Sequence, residues 1–241
     1  MHHRTMWMEY PDIEELYSID NQYLIGSDIL VKPVTAAGVI ESEVSFPTQN
    51  DWYDVDTMTS MPLSRTTTDS SFQILSVHSN IDKIPVYQRG GSIIARKLRL
   101  RRSTELMKND PYTLYIALDT ISKDAFGTLY MDDEHTFNHE KNEEYCEALF
   151  TASMVDDNEK VMMIENKISS HGSSITNETI SSRMVERIII MGVEKSPISI
   201  KVVRGGSEEE LNFTYDVESK VLVVKKPNVS AVREWEIQIS M

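Results

Sequence analysis

A single cysteine, Cys146, rules out an intrachain disulfide, so packing and hydrogen bonds must hold this chain of 241 residues. No apolar run approaches the roughly 18–20 residues that a membrane-crossing helix needs. Basic residues are outnumbered, with 24 Lys and Arg against 38 Asp and Glu and a net charge of −14. That balance argues against nucleic acid and anionic membrane as partners, since both select basic patches. The opening residues, Met1-His2-His3-Arg4-Thr5-Met6-Trp7, lack the apolar core of a signal peptide. Also missing are a glycine-rich phosphate loop, the G-x-S-x-G elbow of serine hydrolases and EF-hand spacing. No window sustains a helical period over three turns.

What remains is strand after strand. Val39–Phe46 alternates, with Ile40, Val44 and Phe46 on one face and Glu41, Glu43 and Ser45 on the other. Trp52-Tyr53-Asp54-Val55 and Phe72–His78 follow, separated by a Thr-, Ser- and Pro-rich stretch, Thr57–Ser71, that reads as an exposed loop. Ile84–Ala95 reads as two short strands hinged on Gly90-Gly91, with Pro85 opening the first or placing it at a sheet edge. Arg96–Asp110, with Arg99, Arg101 and Arg102 beside Leu98 and Leu100, reads as a linking strand with one solvated face. Tyr112–Leu118 is apolar on both faces and is expected at the centre of a sheet. Further strands are expected at Thr128–Met131, Cys146–Met154, Lys160–Ile168, Val185–Met191, Ile198–Val203, Glu210–Tyr215, Val221–Lys225 and Trp235–Ile239. A hairpin turn is expected at Asp216–Lys220. Before residue 28 the pattern differs: Met6–Tyr10 reads as a short strand closed by Pro11, and Asp12 as the cap of a helical turn over Ile13–Tyr17. Many short strands with turn signals between them predict an all-β protein of two β-sandwich domains, residues 28–97 and 98–241, after a remnant over 1–27.

Candidate chemistry is thin. Asp132-Asp133-Glu134-His135 is the densest cluster of metal-ligand types, but consecutive residues at a strand end point different ways, which predicts a hydrogen-bonded turn and no metal site. Glycoside hydrolysis needs two carboxylates flanking the sugar, and no spacing singles out such a pair. Cys146 lies within a strand with no His partner and reads as a core thiol. His2-His3 is too short and terminal for a metal site, and Glu208-Glu209-Glu210 reads as a solvated charge run. Exposed aromatics on a sandwich can bind sugar, but Trp52, Trp235 and the tyrosines fit a core equally well. Three glycosylation sequons begin at Asn177, Asn212 and Asn228.

Several stretches, taken in order, carry a resemblance. They are Met6-Trp7-Met8-Glu9-Tyr10-Pro11, Ile19–Gly26, Ile29–Val34, Phe46-Pro47 with Trp52-Tyr53-Asp54, and Ile84–Gly91. Arg99–Pro111 and Leu129–Asn138 extend the series. The series resembles the C-terminal third of glycoside hydrolase family 31, the α-glucosidases and their relatives. The resemblance implies two β-sandwiches, a proximal and a distal one, that follow a (β/α)8 barrel, with residues 1–27 as the barrel's end and its last strand at about residues 4–10. It implies carbohydrate as the parent enzyme's substrate, retaining hydrolysis, no cofactor, and a β-type subunit as a candidate protein partner. The parent enzyme would reside in the endoplasmic reticulum lumen, while this chain, written without a leader, is expected to be a fragmentary gene model or the tail of a longer product. The family's nucleophile motif, Trp-x-Asp-Met-Asn-Glu, is absent; Trp52-Tyr53-Asp54-Val55-Asp56 echoes it but falls in the first sandwich. No catalytic, cofactor-binding or metal residue is therefore assigned, and Arg89 is expected to anchor the sandwich through neighbouring backbone or carboxylates.

Overall fold

A computed structural model describes residues 3–65, 71–155, 160–171, 178–204 and 206–241. The chain divides into two compact units, Met1–Ser92 and Ile93–Met241.

The first unit carries β1 (His3–Arg4), β2 (Tyr23–Ile25), β3 (Ile29–Val31), β4 (Glu41–Pro47), β5 (Trp52–Asp54), β6 (Phe72–His78) and β7 (Val86–Arg89). Five of these form one sheet in the order β1-β2-β3-β7-β5, while β4 and β6 pair separately with Val44 opposite Leu75. Gly26, at a φ of 63°, makes the reversal between β2 and β3, a conformation that costs glycine least. Both sheets feed one core of Leu24, Leu30, Val44, Phe46, Trp52 and Tyr87, so the unit is a small sandwich. The Phe46 ring stands edge-on to Tyr87, centroids 4.7 Å apart at 80°, an arrangement that the ring quadrupoles favour.

Residues before β2 share that core through Met6, Tyr10, Ile13 and Leu16. Here the structure differs from the pattern reading. Met6–Glu9 is a single helical turn, α1, closed by the Tyr10 amide donating to the Met6 carbonyl at 2.9 Å. Met6 and Tyr10 are buried while Met8 between them is exposed, which is a helical spacing, since a strand would turn all three to one face. The next turn is a 3-10 helix over Glu14–Ser18, preceded by Ile13 without a side-chain cap, so Asp12 does not cap it. Buried Gln22 clamps this segment to β4: its side chain donates to the Ser45 carbonyl at 2.8 Å and accepts from the Ser45 amide at 3.0 Å.

Ile84–Ala95 turns at Gly90-Gly91 as expected, with Gly91 at a φ of 83°. Its arms, however, do not pair with each other. β7 starts just after Pro85 and lies between β3 and β5, whereas the second arm, β8 (Ser92–Arg96), joins the sheet of the second unit.

That sheet also contains β9 (Tyr112–Ala117), β10 (Ala125–Met131), β11 (Cys146–Met154), β12 (Val161–His171), β13 (Met184–Met191), β14 (Ser199–Arg204), β15 (Ser207–Glu210), β16 (Asn212–Asp216), β17 (Val221–Ser230) and β18 (Trp235–Ser240). The order is β15-β14-β18-β12-β11-β10-β8-β9-β13-β17-β16. Every residue of β9 is buried, and β13 runs parallel beside it with Ile188 opposite Leu114. Leu114 and Ile188 share one core with Ile164, Val202 and Ile237 from the sheet's other half, so the sheet folds over itself into a sandwich. Burying a side chain of this size stabilises by about 1.5–3 kcal/mol.

Two further expectations change. Arg96–Asp110 is not a strand beyond β8; it is irregular with a 3-10 turn over Glu105–Met107, because Leu98 and Leu100 are exposed and supply no buried face. Glu210–Tyr215 is not one strand. β15 and β16 sit at opposite edges of the sheet, and the chain crosses between them at buried Leu211, whose amide donates to the Ile200 carbonyl at 2.8 Å. Of the loop at Thr57–Ser71, residues 66–70 lie outside the described residues.

Gly127 on β10 faces the backbone of Ile93 on β8, and a Cβ built there would lie 2.1 Å from the Ile93 carbonyl oxygen. Backbone cannot yield as a side-chain tip can. Gly127→Ala should therefore lower stability by about 1–3 kcal/mol in urea unfolding of the chain, as overpacking does; unchanged stability would show that β10 and β8 separate at little cost.

Candidate functional site

The charged groups singled out by sequence fall into separate clusters, each built on a turn or strand end. In the first unit, Arg89 ends β7 with its guanidinium donating to Glu9 Oε1 at 2.9 Å and to Asp28 Oδ1 at 3.2 Å. Its own amide donates to the Asp28 carbonyl at 2.8 Å. Arg89 also hydrogen-bonds Tyr10, whose hydroxyl donates to Asn50 Oδ1 at 3.0 Å. Burial pushes the Tyr10 hydroxyl up to about 12, with the Arg89 charge partly opposing it. For Arg89, burial works against the charged form, and Tyr10, Asp28 and Glu9 more than compensate. The expected anchoring through neighbouring carboxylates and backbone is thus what Arg89 does in this unit.

Asp54, the echo of the family's nucleophile, closes a turn. Its Oδ1 accepts the amides of Asp56 and Thr57, each at 2.9 Å, and its Oδ2 accepts Lys83 Nζ at 2.9 Å. Burial alone would raise its pKa, but the Thr57 amide and the Lys83 ammonium outweigh it and hold the carboxyl below its ordinary range. A nucleophile needs a lone pair facing open space, and this carboxylate's oxygens are committed to the turn. A separate groove in the first unit is lined by Asp20, Lys32 and Glu43; burial lowers the Lys32 pKa there, against the pull of Glu43 and Asp20.

In the second unit, Asp132–His135 is a hydrogen-bonded turn after β10. Asp133 Oδ1 accepts the amides of His135 and Thr136 at 3.1 and 2.9 Å, and Oδ2 accepts the Thr136 hydroxyl at 2.7 Å. The Thr136 bonds, aided by His135, hold the Asp133 carboxyl down at about 2. Glu134 takes a left-handed φ of 56° and receives Arg183 Nη1 at 2.7 Å and Lys97 Nζ at 3.2 Å. Arg183 is buried and also donates to the Tyr112 hydroxyl at 3.3 Å. Pattern reading did not find Arg183, because nothing in its local sequence separates a buried cation from a solvated one.

Arg101 donates to both oxygens of Asp110, at 3.0 and 2.7 Å, and Arg99 to Glu186 at 2.9 Å, so two of the three arginines of the basic cluster are matched by carboxylates. Glu208–Glu210 is fully exposed on the edge strand β15, with Lys201 on Glu208 at 3.0 Å. Such charge discourages edge-to-edge pairing. Cys146 is buried in β11, where burial raises the thiol pKa. Both Trp52 and Trp235 are core residues, donating to the carbonyls of Pro47 and Ser230 at 3.1 and 2.9 Å, and offer no sugar platform. His3 packs edge-on to Tyr23, and His2 lies outside the described residues. Asn212 and Asn228 are exposed, and Asn177 lies outside the described residues. Asp54, Asp110, Asp133, Glu134 and Asp216 all shift downward. A general acid for glycoside cleavage requires the opposite shift.

An all-β chain whose charges serve as structural ties matches a known module. Residues 1–94 match the model of the glycosyl hydrolase family 31 C-terminal domain. The chain is 37% identical over 240 residues to neutral alpha-glucosidase AB of Dictyostelium discoideum, covering 98% of this chain and 23% of that protein. It is 32% identical over 237 residues to neutral alpha-glucosidase AB of Homo sapiens, with the same coverage. A crystal structure of the ER glucosidase II heterodimeric complex, consisting of catalytic subunit and the binding domain of the regulatory subunit, superposes with a TM-score of 0.81 at 27% identity. It covers 99% of this chain and 25% of the matched one. The chain belongs to glycoside hydrolase family 31 and matches the C-terminal portion of its enzymes. Within the family it is similar to α-glucosidases of the glucosidase II kind, and it spans about a quarter of their length.

Two outcomes follow from these clusters. Arg89→Ala should cost about 2 kcal/mol, since Glu9 and Asp28 lose a charged donor at a partly buried site. Arg89→Lys should recover only part of this in urea unfolding, because an ammonium lacks the planar fork that spans two carboxylates; full recovery would reduce the tie to simple charge. The Asp133 pKa lies below its ordinary value of 3.8, at about 2. Its contribution is therefore complete above about pH 4 and lost as the pH falls through about 2. Thermal melts of Asp133→Asn should show a shallower acid loss than the parent chain; parallel curves would remove Asp133 from the account.

Proposed function

We propose that this chain is the C-terminal β-sandwich part of a glucosidase II-like α-glucosidase and serves to support its catalytic barrel. Residues 1–27 would complete the barrel's end, 28–97 form the proximal sandwich and 98–241 the distal one. The parent activity would be retaining hydrolysis of α-glucosidic bonds by two carboxylates, removing glucose from N-linked glycans in the endoplasmic reticulum lumen. A β-type regulatory subunit would be its protein partner. The observation that carries this reading is the match along 98% of the chain to only 23% of its relatives. The committed carboxylate of Asp54 supports a non-catalytic role for the chain itself.

The purified chain should release no chromophore from a nitrophenyl α-glucoside above a mock preparation. Turnover by the chain alone would overturn the supporting role. A non-catalytic carbohydrate-binding module is the second reading, and the surface described next favours it as an added property rather than a replacement.

A further inference from the structure

The outer face of β10 carries aromatic rings that the core does not use. Along this strand burial alternates, and Phe126, Thr128 and Tyr130 point to the exposed side. Phe126 is 53% exposed and Tyr130 is 50% exposed. Four residues along a strand place these two rings on one face, about 13 Å apart. A single exposed ring is ordinary on a protein surface. The arrangement around Tyr130 is not a single ring, because Tyr145 stacks on it with centroids 5.7 Å apart and planes within 19°. Tyr145, itself half-buried, backs the Tyr130 ring and fixes its plane.

Hydrogen-bond acceptors ring the same place. Burial raises the Tyr130 pKa, and the charges of Asp132, Glu140 and Glu147 raise it further, which puts three carboxylates within electrostatic reach of its hydroxyl. Glu147 stands directly opposite Tyr130 in the β10–β11 register. Asp132 Oδ2 lies 3.7 Å from His139 Nδ1, and that nitrogen is buried without a hydrogen-bond partner. His139 belongs to the single turn α2 (Asn138–Lys141), which also supplies Glu140.

An aromatic face is negative and attracts polarised C–H groups. Carboxylates are acceptors only and take pairs of hydroxyl donors. A pyranose presents both features: an apolar C–H face and a rim of vicinal hydroxyls. We propose that the outer face of β10, centred on Tyr130 and Tyr145, binds neutral pyranose oligosaccharides. Tyr130, backed by Tyr145, stacks on one ring, and Glu147 and Asp132 accept its hydroxyls. Phe126 contacts a sugar further along the chain of rings. A lysine-rich segment is the rival occupant, since carboxylates and a ring face also suit a cation. A Tyr130 ring held by its stacked neighbour, with Phe126 about 13 Å further along the same face, fits a chain of flat rings better than a point charge. This inference goes beyond the supporting role proposed above and does not depend on catalysis.

The test is a titration of the full chain with maltotriose, followed by aromatic NMR shifts and calorimetry, with tetralysine titrated in parallel. Saturable millimolar binding that shifts Tyr130 and Tyr145 is expected. Tyr130→Ala should weaken it about tenfold, the loss of one ring contact. Tyr130→Phe keeps the ring and should retain most of the affinity, which separates stacking from misfolding, and Glu147→Gln should weaken binding without changing thermal stability. No saturable shift, binding untouched by Tyr130→Ala, or tetralysine binding at these rings in place of maltotriose would each overturn the proposal. None of those results touches the nitrophenyl glucoside assay, so the two readings fail separately.

Discussion

The first unit depends on the guanidinium of Arg89. It joins Glu9 on α1 and Asp28 before β3 to the end of β7, three places far apart in sequence. The cation is only about one-fifth exposed and so receives little relief from water. Burial works against its charged form, and Tyr10, Asp28 and Glu9 more than offset that. The geometry works because an arginine can address two carboxylates at once. With that tie in place, Met6, Tyr10 and Leu16 can join a core whose other members come from strands.

The same device recurs in the second unit with different chemistry. Arg183 is buried, and Glu134 and the Tyr112 hydroxyl meet its donors. Glu134 accepts a left-handed backbone to do so, a position where side chains other than glycine pay a strain of order 1 kcal/mol. Lys97 adds a second cation to the same carboxylate and lies over the Tyr112 ring at 5.1 Å. Carboxylates that might have been read as chemistry are therefore spent on architecture. That spending is consistent with a module that supports an active centre, and it leaves Tyr130 and its neighbours as a surface with acceptors to spare.

Legibility varied with the physics involved. β11 and β18 were readable because one face is buried and the other is not, so apolar residues alternate. β9 was readable for the opposite reason: both faces are covered, so the run is apolar throughout. Met6–Tyr10 misled because five residues cannot distinguish a strand from a helical turn until burial shows which of them face inward. Ile84–Ala95 misled in a subtler way. The turn is local and glycine determines it, but strand pairing is not local, and each arm found its partners elsewhere. Glu210–Tyr215 failed likewise, because Leu211 sits in the core and redirects the chain between edges.

By itself the sequence determined the all-β class, the central strand, the turns at Gly90-Gly91 and Asp216–Lys220, and membership in family 31, all of which rest on residue order and short-range patterning. Only the tertiary structure decided which strands share a sheet, that Arg183 is buried, that Asp54 is tied to Lys83, and that Tyr130 and Tyr145 stack on an exposed face. Those are contacts between residues distant along the chain. Their energies come from desolvation and geometry that exist only once the chain has folded.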